Sequence, residues 1–126
     1  MWALTVSQPF SAPLVAGAGG YFAPPIRGYE PLWLENLGYC ADGDGWKPTE
    51  SGATAADGDI PWNPSGGVLS SNPIGASGMI RFAEVAQQVR GEAGDYQVDG
   101  AKLALGQAYG GGSQFFAMWV VGSEQP

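Results

Sequence analysis

One long stretch of the 126 residues carries a helical period of apolar positions. It opens between Asn72 and Ala76 and runs through Arg90, with Gly91 placed to end it. Ile80, Phe82, Ala83, Val85, Ala86 and Val89 supply its buried side, and Arg81, Gln87, Gln88 and Arg90 its wet one. An earlier helix starts near Tyr29, with Pro31 in its first turn, Leu32, Trp33, Leu34 and Leu37 as a broad apolar side, and Gly38 as its stop. The chain closes on two nearly continuous apolar runs, Ala101 to Ala108 and Gln114 to Val121, joined by Gly110, Gly111 and Gly112. Runs of that kind predict strands covered on both faces, and therefore helices above and below them. The expected fold is layered α/β, with helices packed on a mixed sheet that ends in a β-hairpin.

The rest is punctuation. Asn63-Pro64 and Asn72-Pro73 are rigid turns flanking a short expected strand, Val68 to Ser70. Ala41 to Asp59 is rich in Gly, Asp and Thr and reads as a surface excursion. Residues 1–28 hold an apolar start, Trp2 to Val6, readable as a strand, then prolines 9, 13, 24 and 25 and glycines 17, 19 and 20. That density of breakers predicts a packed irregular arm or disorder rather than a solvated linker, leaving 29–126 as the structured unit.

Composition removes several kinds of chemistry. Hydrophobic content is 44%, enough for a core in a chain of this length. The net charge of −7 and the scatter of Arg27, Lys47, Arg81, Arg90 and Lys102 argue against nucleic acid, which wants clustered cations. The longest apolar stretch, Phe115 to Val121, is too short to span a bilayer. No basic region precedes the apolar start, so the expected location is the cytoplasm. There is no histidine, and Cys40 is the sole cysteine. His/Cys zinc sites, an intrachain disulfide, and Ser-His-Asp or Cys-His catalysis are thus outside this chain's means.

Three local patterns remain. Asp42-Gly-Asp44-Gly opens like a calcium loop, but Trp46 and Ala53 stand where ligands are needed, so it is read as an acidic turn and no metal is expected. Gly110 to Gly112 precede a strand and lack a following Lys-Ser/Thr, which excludes a phosphate-binding Walker loop. The ordinary reading is a tight hairpin; the functional one is close approach of backbone N–H groups to a carbonyl oxygen. Asn63-Pro64-Ser65-Gly66-Gly67 and Asn72-Pro73-Ile74-Gly75-Ala76-Ser77-Gly78 combine small residues with a helix start, either as a loop and cap or as a place where a ligand meets the backbone.

Taken in order, those two motifs, then Arg90-Gly-Glu-Ala-Gly94 and Gly110-Gly-Gly112 in a final hairpin, resemble the C-terminal part of the thiolase superfamily. The branch most similar is that of the sterol-carrier-protein-type and archaeal-type thiolases, whose Leu-Glu-x-Leu-Gly-Phe-Cys segment Leu34 to Cys40 also resembles. The likeness covers about residues 29 to 123 and leaves out 1–28.

The resemblance implies an acyl-CoA acyltransferase of two similar α/β halves, with a coenzyme A thioester as substrate and no other cofactor. Its nucleophilic cysteine belongs to an N-terminal half that these 126 residues do not contain. The family's Asn-x-x-Gly-Gly motif matches Asn63, Gly66 and Gly67, and would position water or an oxyanion. Its His-Pro-x-Gly-Ala motif matches with Asn72 in place of the histidine, followed by Gly75. Asparagine can donate to a thioester oxygen but is no base near neutral pH. The family's second reactive cysteine falls at Ala108, followed by Tyr109. Cys40 matches a position outside the reactive motifs and is expected to be an inert, partly buried thiol. The resemblance therefore implies a C-terminal fragment or subunit supplying an acyl-CoA and oxyanion half-site, from Asn63, Asn72 and Gly110 to Gly112. Homo-oligomerisation or a thiolase N-terminal partner would complete it. Two alternatives stay open: a non-catalytic thiolase-fold scaffold, and a retro-aldolase-type acyl-CoA lyase with Tyr109 as acid/base.

Overall fold

The computed structural model describes residues 14–16, 29–71, 73–110 and 114–123. Its elements in order are β1 (Leu14–Ala16), α1 (Tyr29–Asn36), α2 (Lys47–Glu50), α3 (Gly67–Ser70), α4 (Ser77–Arg90), β2 (Leu103–Gly110) and β3 (Phe115–Gly122), with a 3-10 turn at Ile74–Ala76 leading into α4. β1 lies within the Pro/Gly-rich first 28 residues; the Trp2 to Val6 run falls outside the described residues.

Both longer helices stop for the same reason. After α1, Gly38 takes φ +79°, its N–H donates to Glu35 O, and the Tyr39 N–H donates to Leu34 O. After α4, Gly91 takes φ +72°, with its N–H and that of Glu92 donating to Gln88 O and Gln87 O. In each, the positive φ that glycine permits turns the chain so that two carbonyls the helix end would strand are satisfied. The 41–50 excursion is mostly exposed but fastened to α1: the Gly45 N–H donates to Glu35 Oε1 at 2.8 Å and Thr49 Oγ1 to Glu30 Oε1 at 2.8 Å. Asp44 pairs with Lys47 at 2.7 Å.

The sheet runs β1-β2-β3. β1 is parallel to β2, with Val15 opposite Gly106; β3 is antiparallel, with Leu105 opposite Val120 and Gly110 opposite Phe115. Side chains on β2 alternate between two cores. Leu105 packs under Leu34 and Trp62, beside Trp33 and Leu37. Ala104, one residue earlier, meets Val85 of α4 on the opposite face, with Val89, Trp119 and Val121. Helices therefore lie above and below the sheet, as the apolar runs predict. Gly106 is obligatory here: the Trp119 indole lies across it from the neighbouring strand and occupies the place of a Cβ.

Three expectations are corrected. Val68 to Ser70 is part of helix α3, not a strand, because Gly66 and Gly67 at φ +86° and +55° swing the backbone into a turn that Ser70 closes by bonding Ser65 O. β3 is not covered on both faces: Phe115, Phe116, Met118 and Val120 are exposed. On α4, Arg81 and Gln88 are buried, while Phe82 and Ala83 are exposed.

That last reversal follows from what packs on the helix. At ~100° per residue, Gly78, Phe82, Val85 and Val89 share one side, and Ser77, Arg81, Glu84 and Gln88 share the side next to it. The first set lies on the sheet. The second is covered by loops with polar backbone, and so it needs polar partners rather than apolar ones. Gln88 shows the fit: its Nε2 donates to Tyr96 O at 2.6 Å, and its Oε1 accepts from the Val98 N–H at 2.9 Å and from Gln97 Nε2 at 3.2 Å.

Candidate functional site

The Asn63 turn is built from its own backbone. Asn63 has φ +47°, a left-handed conformation that asparagine tolerates better than most residues, and its carbonyl accepts from the Gly66 N–H at 2.8 Å. Its side chain lies against Gly67, where an added Cβ would fall 2.8 Å from Cγ and 2.9 Å from Oδ1. The spacing Asn63-x-x-Gly66-Gly67 thus has a steric cause: the second glycine makes room for the asparagine. Oδ1 is buried and accepts no hydrogen bond from the described residues.

Ser65 ties this turn to α4. Its hydroxyl donates to Glu84 Oε1 at 2.6 Å and accepts from Arg81 Nη1 and the Gly67 N–H, each at 3.4 Å. Arg81, only 1% exposed, pairs with Glu84 Oε2 at 2.7 Å. The Arg81 Nε finds no partner among the described residues. A shallow hollow of about 150 Å³ opens beside this network, lined among others by Ser65, Glu84, Gln87 and Tyr96.

The end of β2 meets the same helix. Gly78 abuts Ala108, whose Cβ would lie 3.0 Å from a Cβ on that glycine. Arg81 and Glu84, which hold Ser65, follow Gly78 by roughly 4.5 and 9 Å along the helix axis. The Asn63 turn and the end of β2 are therefore both anchored to the first two turns of α4, on adjacent sides. Just before it, Ile74 adopts φ +53° and is largely exposed. That geometry is a strained one for a β-branched residue.

Of the expected site residues, the structure joins Asn63, Gly66 and Gly67 in one turn, puts Gly75 in the exposed 3-10 turn that starts α4, and ends β2 on Gly110, whose carbonyl accepts from the Gln114 N–H at 3.1 Å. Asn72, Gly111, Gly112 and the Tyr109 side chain lie outside the described residues; the Tyr109 backbone pairs with Phe116. Cys40 is half-buried, and its thiol pKa is pushed up, first by burial and then by Glu35, Asp44 and Asp42. A raised pKa leaves the thiol protonated near neutral pH, the opposite of an activated nucleophile.

Residues 28–123 match the family model described as thiolase C-terminal domain-like. The chain belongs to that family. An acetyl-CoA acetyltransferase of Methanothermobacter thermautotrophicus is 47% identical over 81 residues, 64% of this chain and 21% of that protein. Sterol carrier protein 2 of Homo sapiens is 41% identical over 95 residues, 74% of this chain and 17% of its own. The benzoylsuccinyl-CoA thiolase subunit BbsB of Thauera aromatica is 38% identical over 85 residues, 66% and 22%. The thiolase C-terminal domain described here thus spans about a fifth of the length of each of these relatives.

Within that domain, four residues escape sequence reading: Ser65, Arg81 and Glu84, which hold the Asn63 turn, and Gln107 on β2. Gln107 is 2% exposed, and among the described residues neither its Oε1 nor its Nε2 has a partner. The Arg81-x-x-Glu84 spacing does signal an ion pair on a helix, but nothing in it signals burial.

Proposed function

We propose that this chain supplies the acyl-CoA and oxyanion side of a thiolase-type site, and that a second body brings the nucleophilic cysteine. The observation that carries the reading is Asn63: a side chain held in a left-handed turn by Gly67, with a buried, unpartnered Oδ1. A buried amide oxygen without a partner costs about 1–3 kcal/mol, a cost relieved when a bound water donates to it. Its NH₂ group is the matching donor for a thioester oxygen. Catalysis through such donors needs them fixed before charge develops, and the Ser65–Arg81–Glu84 network fixes this turn. The outer side of α4 supports the need for a second body. Met79 is 72% exposed there and, with exposed Ala83, leaves apolar surface open on the flank of α4 away from the Asn63 turn.

The chain alone then binds acyl-CoA without turning it over. Calorimetric titration with acetyl-CoA is expected to show binding that weakens at least several-fold in Asn63→Ala. Release of CoA from acetoacetyl-CoA is expected to be absent, since no cysteine here stands in a motif-supported position to form the acyl-thioester intermediate. Turnover that vanishes in Cys40→Ser would overturn this and make Cys40 the nucleophile. Cleavage of a β-hydroxyacyl-CoA that depends on Tyr109 would put the lyase reading in its place.

A further inference from the structure

β3 is an edge strand of eight residues, Phe115-Phe-Ala-Met-Trp-Val-Val-Gly122, with no charge and no proline in it. Among the described residues no strand pairs with its outer side. Edge strands in proteins that stay apart are short, charged or kinked, and this one is none of these. Its side chains are also open: Phe115 is 72% exposed, Met118 46% and Val120 51%.

We propose that this edge pairs with β3 of a second copy of the chain, antiparallel and centred on Met118. Two arguments select a second copy. The first is charge. The chain carries −7, but residues 103–122 hold no acidic or basic side chain, so the strip is where two acidic copies meet with least repulsion. The second is self-complementarity. Opposed residues of an antiparallel pair must point to the same face. Even-numbered residues of β3 point to the α1 side and odd-numbered ones to the α4 side, as Val120 opposite Leu105 and Val121 opposite Ala104 require. A two-fold axis at Met118 then sets Phe116 against Val120′ and Met118 against Met118′ on one face. On the other it sets Phe115 against Val121′ and Ala117 against Trp119′ (primes denote the second copy). Every pair is apolar, and aromatic residues meeting β-branched ones are favourable across strands. The described strands become one six-stranded sheet, β1-β2-β3-β3′-β2′-β1′.

The contact is modest. The open parts of these side chains with the paired backbone come to roughly 400 Å² per copy, about half of a standard stable interface. The expected dimer is therefore concentration-dependent, forming in the micromolar range or above.

The test uses the full chain in a Cys40→Ser background, with one cysteine introduced at a time at exposed positions. Met118→Cys places two thiols opposite each other, within reach of a disulfide. Under mild oxidation at micromolar concentration it is expected to cross-link at least tenfold faster than Met79→Cys on the outer side of α4. Phe116→Cys and Val120→Cys are expected to cross-link with each other in a mixture and poorly with themselves. Light scattering of the parent chain is expected to show mass rising toward the dimer with concentration, and Val120→Lys to hold it at the monomer with an unchanged circular dichroism spectrum. Equal cross-linking at 118 and 79, or self-linking of Val120→Cys faster than its linking to Phe116→Cys, overturns the proposed pairing. So does a parent chain that stays monomeric at high concentration.

Discussion

Replacing Gln107 with methionine is expected to make the protein more stable. The amide sits on the central strand between Ala16 and Met118, on the face that carries Leu105, and both of its polar atoms are buried without partners. Leaving one such group unsatisfied costs about 1–3 kcal/mol, whereas an apolar side chain of similar shape incurs no such cost. Methionine matches glutamine in length and branching and adapts to irregular gaps. The strain of the exchange is below ~1.5 kcal/mol, typical of volume-conserving swaps. The net gain is on the order of 1–2 kcal/mol, which for a chain of this size raises Tm by about 4–8 °C. Urea unfolding followed by tryptophan fluorescence measures it directly, as a shift in midpoint with unchanged slope. Gln107→Glu provides the opposite sign, since it buries a charge with no counter-ion. A lowered midpoint in Gln107→Met would refute the reasoning, because it means the amide is already satisfied, by an ordered water for instance.

Glu84→Ala is expected to destabilise by about 3 kcal/mol by stranding the buried Arg81 guanidinium, and Arg81→Met with Glu84→Leu to recover most of that loss; urea melts of the three variants decide it. Ile74→Gly is expected to gain about 0.5–1 kcal/mol, since relief of the left-handed geometry exceeds the entropy cost of glycine at an exposed site, read as a higher Tm. Gly106→Ala is expected to lose about 3 kcal/mol or fail to fold, because the new methyl meets the Trp119 indole, and Gly106→Ala with Trp119→Leu to recover part of it. Burial raises the pKa of both Cys40 and Tyr39 above their ordinary 9.0 and 10.0. Both groups are favoured protonated in the fold, so their contribution to stability is complete below pH about 9 and is lost as pH rises through the raised values. Iodoacetamide should accordingly modify Cys40 more slowly than free cysteine at neutral pH, and the Tm should fall in the alkaline range.

How far the sequence speaks for the fold depends on the kind of signal. Gly38 and Gly91 mark their helix ends because the positive φ they permit is a local matter, readable without knowing what packs where. The two closing strands are legible for the same reason, as long apolar runs on either side of glycines. The sides of α4 are not. Arg81 and Gln88 carry polar side chains, and a periodicity argument assigns polar residues to water. What buries them is the Asn63 turn and the 93–98 return, whose backbone groups need exactly such partners. Val68 to Ser70 misleads in another way: three residues are too few to show a period, and the glycines before them decide the geometry. At the site, Asn63, Gly66 and Gly67 are legible as a motif, and the structure adds why the second glycine belongs to it. Gln107 leaves no trace in the sequence, since its burial comes only from its place on the central strand.

The contact between Ser65 and the Arg81–Glu84 pair has a bearing on how this domain can change over generations. These residues lie 16 and 19 positions apart in the chain but share one set of hydrogen bonds. A change at Ser65 alone leaves a carboxylate short of its donor, and a change at Glu84 alone leaves a buried cation. Inheritance should therefore treat 65, 81 and 84 as one character, drifting together or not at all. The same reasoning restricts chimaeras: a crossover between Ser70 and Ile74, in the loop where exchange looks harmless, would marry the turn of one parent to the helix of another and separate the serine from the ion pair that holds it.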